Sequence, residues 1–113
     1  MLVIDDNAGL VELFGRYLEG EPFRLLGAQN GAQGLRLVEQ QQPTMVILDV
    51  MMPEQDGWET LQHLKHSEET RRIPVIVCSV LDDPELAFSL GASEFLAKPV
   101  SREALLSCLR RSL

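Results

Sequence analysis

With 113 residues, 45% hydrophobic and 24% charged, the chain has the size and composition of one globular domain with a single core. Its net charge of −7 repels a phosphate backbone, so direct nucleic-acid binding is not expected. No apolar run approaches membrane-spanning length, and Leu2-Val3-Ile4 running into Asp5-Asp6 is no signal peptide. A cytoplasmic setting without a membrane partner is expected, and Cys78 and Cys108, lacking metal-like spacing, fit reduced core thiols.

Leu2-Val3-Ile4 reads as a short strand that ends on two carboxylates, Asp5 and Asp6. A helix follows, capped by Asn7 or Asp6, with Leu10, Val11, Phe14 and Leu18 on one face. Gly20 closes it near Pro22, Phe23 to Ala28 reads as a second strand, and Asn30-Gly31 reads as a turn. The second helix turns Leu35 and Val38 inward and stops before Pro43. Met45 to Leu48 is an unbroken apolar run, the pattern of a strand buried on both faces of a parallel sheet. It ends on Asp49, followed by a loop punctuated by Pro53 and Gly57, then a helix with Trp58, Leu61 and Leu64 inward.

Val75 to Cys78 is the strongest β segment and ends on Ser79. Asp82-Asp83-Pro84 starts a fourth helix, which Gly91 cuts short. Phe95-Leu96 is the kernel of a fifth strand ending in Lys98-Pro99, and Ser101 caps a last helix with Leu105, Leu106 and Leu109 inward. Alternating strands and helices predict an α/β fold, a five-stranded doubly wound parallel sheet of order 2-1-3-4-5 with a shortened fourth helix. No glycine-rich nucleotide loop follows any strand.

Such a sheet gathers its strand ends at one edge, which would bring Asp5, Asp6, Asp49, Ser79 and Lys98 together. Three crowded carboxylates repel unless a cation sits among them, and hard oxygen donors favour Mg²⁺. Lys98 adds a positive charge and Ser79 a hydroxyl, which suits an incoming phosphoryl group.

In these fragments the sequence resembles the receiver domain of bacterial two-component response regulators, the CheY-like superfamily with its flavodoxin-like fold. They are V-I-D-D-N at residues 3–7, L-D-V-M-M-P-E-Q-D-G at 48–57, Ser79 after V-I-V-C, and G-A-S-E-F-L-A-K-P at 91–99. The resemblance covers essentially the whole chain, residues 1–113, as one receiver domain. It implies that Asp49 is the phosphoacceptor for a phosphohistidine on a sensor histidine kinase or histidine phosphotransfer protein. By the same resemblance Asp5, Asp6, Asp49 and the backbone carbonyl of Met51 would hold Mg²⁺. Lys98 would contact a phosphoryl oxygen and the bond before Pro99 would be cis. Ser79 and the aromatic Phe95 would form the switch that regulates an output. The domain would be a regulatory phosphoacceptor that catalyses its own phosphorylation and slow dephosphorylation, and would be monomeric in isolation.

The chain departs from the pattern in four places. Between Ser79 and Gly91 it is shorter than the family by about one helical turn of roughly 3.6 residues, which alters a surface many receivers use to dimerise. Val80 stands where a small residue is common, and Met51 and Leu81 are apolar beside the phosphoryl position, so slow self-dephosphorylation is expected.

Other readings fit less well. His63 and His66, at i and i+3 with no third ligand, read as solvated helix residues, and Asp56 and Gly57 as turn chemistry. A phosphorylation-independent docking module would not need all five strand-end groups. A phosphatase working through an aspartyl phosphate would carry a second Asp where Met51 stands.

Overall fold

The computed structural model describes residues 1–52 and 57–113; Pro53, Glu54, Gln55 and Asp56, two of which the sequence assigns to loop rigidity and turn chemistry, lie outside the described residues. Five strands and five helices alternate: β1 Leu2–Ile4, α1 Ala8–Tyr17, β2 Leu26–Ala28, α2 Gly31–Gln41, β3 Val46–Leu48, α3 Gly57–His66, β4 Val75–Ser79, α4 Pro84–Ser89, β5 Glu94–Ala97 and α5 Arg102–Ser112. The sheet is parallel throughout, in the order β2-β1-β3-β4-β5.

Side chains alternate across each strand and so feed two cores. Val3, Ile47, Ile76, Cys78 and Leu96 face α1 and α5, where they meet Phe14, Leu105, Cys108 and Leu109. Leu2, Ile4, Val46, Leu48, Val75 and Val77 face the other side with Val38, Leu61, Leu64 and Ala87. Continuous apolar strands are what burial on both faces requires.

Local signals set most helix ends. Asn7 accepts from the N–H groups of Gly9 and Leu10, Asn30 from Gln33, Asp83 from Leu86 and Ser101 from Ala104, each satisfying donors that the first helical turn leaves free. Asn30-Gly31 is therefore the entry to α2 and not a turn. The second strand is also shorter than its apolar pattern, beginning at Leu26 and not at Phe23. Among the described residues its one partner is β1, which is three residues long and pairs Leu2 with Leu26, so residues 23–25 run past the end of the sheet. The fourth helix has six residues, as its early glycine predicts.

No described helix is long and apolar enough to cross a membrane. Trp58 packs, partly buried, on the second core, and His63 and His66 are exposed on α3.

Candidate functional site at the carboxyl edge of the sheet

Each of the central groups lies one residue beyond a strand and is held there by the neighbouring strand's backbone. The Asp5 N–H donates to the Ala28 carbonyl at 2.9 Å, and the Asp49 N–H donates to the Ile4 carbonyl at 2.9 Å. The Lys98 N–H donates to the Ser79 carbonyl at 3.0 Å, one rung past the pairing of Ser79 with Ala97. Asp5 and Asp49 are 2% and 4% exposed, whereas Asp6 is open to solvent.

Oxygens of Asp5, Asp6 and Asp49 lie within 4.8 Å of one another. Lys98 Nζ reaches into this group, 2.8 Å from Asp5 Oδ2 and 3.3 Å from Asp49 Oδ2. Desolvation lowers the pKa of its half-buried ammonium, but the hydrogen bond to Asp5 and the charges of Asp49 and Asp5 outweigh that and hold it above the ordinary lysine value. The other carboxylate oxygens of Asp5 and Asp49 take backbone donors. Asp5 Oδ1 accepts from the Asn7 N–H at 2.8 Å and Asp49 Oδ1 from the Met51 N–H at 2.9 Å. The loop after β3 is thus folded back onto the aspartate that precedes it.

Three carboxylates and one ammonium leave two negative charges in a space a few ångströms wide. An all-oxygen donor set with that charge fits a hard divalent cation such as Mg²⁺ and would suit a soft, thiolate-seeking metal poorly.

Ser79 sits at the same edge but is engaged elsewhere. Its side chain is fully buried, and Oγ accepts from the Leu81 N–H at 3.1 Å. Phe95 lies further from the edge, opposite Val77 and on the same face of the sheet as Ser79, partly buried against the second core. The Lys98–Pro99 peptide bond is cis. Met51, Val80 and Leu81, which follow Asp49 and Ser79 in the chain, are exposed apolar residues, 51%, 69% and 37% accessible.

Two residues support the site in ways the sequence does not announce, Gly57 standing in a quoted motif for another reason and Tyr17 in none. Gly57 opens α3 directly against the backbone that carries Asp49: a Cβ there would come within 2.3 Å of Val50 Cα and 2.8 Å of the Asp49 carbonyl oxygen. Its sequence position suggests turn chemistry, whereas its use is close approach. Tyr17, at the end of α1, donates its hydroxyl to the Val100 carbonyl at 3.0 Å. Nothing in its spacing along the chain points to a contact with residues so distant in sequence.

The family model for the response regulator receiver domain matches residues 1–110. The chain is 32% identical over 116 residues to the protein PilH of Pseudomonas aeruginosa, covering 100% of this chain and 96% of that protein. It is 34% identical over 116 residues to the DNA-binding dual master transcriptional regulator RpaA of Synechocystis, covering 100% of this chain but 48% of that protein, so it spans about half of that relative. The receiver domain of a sensor histidine kinase from Pseudomonas aeruginosa PAO1, solved with a magnesium ion coordinated in its active site cleft, superposes with a TM-score of 0.85. That similarity has 27% identity and covers 97% of this chain and 93% of the other.

Proposed function

Because this chain belongs to the response regulator receiver domain family, whose work is phosphorelay signal transduction, we propose that Asp49 is its phosphoacceptor and that residues 1–113 act as one receiver unit. The observation that carries this reading is the convergence of Asp5, Asp6 and Asp49 around Lys98, groups up to 93 residues apart in sequence. The phosphodonor is a phosphohistidine on a sensor histidine kinase or a histidine phosphotransfer protein.

A carboxylate oxygen of Asp49 attacks phosphorus in line with the P–N bond. That bond breaks, its electron pair stays on the imidazole nitrogen, and an acyl phosphate forms on Asp49. Lys98 offsets the charge that spreads over the equatorial oxygens, and its preset contacts to Asp5 and Asp49 mean little reorganisation is needed. The Met51 N–H holds Asp49 Oδ1 and so fixes the carboxylate plane. Asp5, Asp6, Asp49 and the Met51 carbonyl would hold Mg²⁺, which when bound supplies positive charge to the phosphoryl oxygens.

The new phosphoryl oxygens accept from the Ser79 O–H and draw the hydroxyl towards Asp49, away from the Leu81 N–H from which Oγ accepts. Ser79 and Phe95 share one face of the sheet, so movement of Ser79 changes the space open to Phe95. The population shift is read at the surface of α4, β5 and α5.

Incubation of the 113-residue chain with Mg²⁺ and acetyl phosphate or a phosphohistidine protein tests the assignment. A hydroxylamine-labile adduct should map to Asp49 and vanish in Asp49→Asn. Labelling of His63 or His66 instead, or undiminished labelling of Asp49→Asn, would refute it.

A further inference from the structure

Lys98 acts at the end of a long, flexible side chain, so its usefulness depends on how firmly its backbone is held. On its N-terminal side the Ser79 carbonyl holds the Lys98 N–H. On its C-terminal side Pro99 has no N–H to give, and the chain leaves the sheet before α5 begins. The anchor there comes from α1. Tyr17 Oη donates to the carbonyl of the buried Val100 at 3.0 Å, and the Tyr17 carbonyl accepts from Arg102 Nε at 3.0 Å. One residue thus grips both sides of the turn from Val100 to Arg102. Tyr17 is itself held by ring contact with the fully buried Phe14, centroids 6.1 Å apart, while Arg102 is steadied by Glu21 at 3.4 Å.

We propose that Tyr17 is a positioning residue for Lys98, locking the strand-to-helix turn so that the ammonium is preset between Asp5 and Asp49. The inference rests on the assignment of Lys98 to the phosphoryl group. The Phe14 ring and the Tyr17 ring would pack together without the hydroxyl, so the phenol O–H is the part that reaches the turn.

The sequence contains two lysines, Lys65 and Lys98, which makes the test selective. Lys65 Nζ donates to the carbonyls of Arg71 and Ile73, away from this turn, and serves as the internal control. Tyr17→Phe keeps the ring and removes only the hydrogen bond. In metal-free buffer its Lys98 should be acylated by an amine reagent about three- to tenfold faster than in the parent protein, the factor one lost hydrogen bond implies, with Lys65 unchanged. With Mg²⁺ and acetyl phosphate, kcat for Asp49 phosphorylation should fall by a similar factor.

A rise at both lysines would mean general loosening and would overturn the proposal. So would unchanged Lys98 reactivity, or a selective rise with unchanged kcat. Should Tyr17→Phe fail to fold, Arg102→Gln breaks the other half of the grip from the exposed side and is read in the same way. If the parent protein takes up no phosphoryl group, the Asp49 assignment fails by itself, while the metal-free comparison still reports whether Tyr17 holds Lys98.

Discussion

Replacing Gly57 with Ala would place a methyl carbon 2.3 Å from Val50 Cα, 2.8 Å from the Asp49 carbonyl oxygen and 2.9 Å from the Val50 carbonyl carbon. Ordinary contact begins at 3.4 Å, so the closest pair must separate by roughly 1 Å, and all three obstructing atoms are backbone that no rotamer change can move. Overpacking of this kind costs about 1–3 kcal/mol. Because Gly57 is the first residue of α3 and not in its interior, Ala brings little offsetting helix propensity, and the net loss should stay at about 1–3 kcal/mol. The larger effect should be kinetic, because the backbone pushed aside carries Asp49, the proposed phosphoacceptor. A shift of about 1 Å in a reacting group can cost ~10²-fold in rate.

Urea denaturation gives the stability term, and single-turnover uptake from acetyl phosphate with Mg²⁺ gives the rate. Gly15→Ala, inside α1, is the control, since among the described residues beyond that helix's own backbone its Cβ would meet only Leu25 Cδ2, at 3.9 Å. It should gain roughly 0.5–1 kcal/mol and leave phosphoryl uptake unchanged. A Gly57→Ala protein with the parent's urea midpoint and the parent's uptake rate would refute the claim that α3 is seated on the Asp49 backbone.

Met51→Asn replaces the exposed apolar side chain two residues after Asp49 with a polar amide that can orient an attacking water. The lifetime of the acyl phosphate should shorten by up to roughly tenfold, well short of the ~10²–10⁴ of a full general base, and an unaltered decay curve would count against a role for apolar Met51 in preserving the label. Burial pushes the Cys78 thiol up to about 12 and the Cys108 thiol up to about 11 from an ordinary 9.0. Their protonated forms therefore favour the folded state fully below 9.0, and that contribution declines as pH rises from there towards 11–12, because the unfolded chain binds fewer protons. The urea midpoint should fall across that window, and the fall should be shallower in the Cys78→Ala/Cys108→Ala double variant; equal slopes would remove the thiols from the account.

Alternation of short apolar runs with amphipathic stretches was sufficient to specify a parallel doubly wound sheet, and the short α4 followed from the early Gly91. Those features depend on residues close in sequence, through side-chain periodicity and caps such as Asn7, Asp83 and Ser101. The strand-end carboxylates and Lys98 were equally legible, since topology alone sends those ends to one edge. The length of β2 was not, because apolar residues at 23–25 look like strand until the three-residue β1 leaves them without a partner.

The sequence by itself determined which chemical groups the sheet would present, because strand period and strand order depend on hydrophobic pattern and chirality. Only the tertiary structure decided how those groups are held: Gly57 against Val50, Tyr17 on the Val100 carbonyl, and the Met51 N–H on Asp49. Those are contacts of shape and single hydrogen bonds. The first two set a helix residue against loop residues and depend on where each comes to rest, while the third depends on how the loop after β3 folds back, and none of the three leaves a periodic trace in the chain.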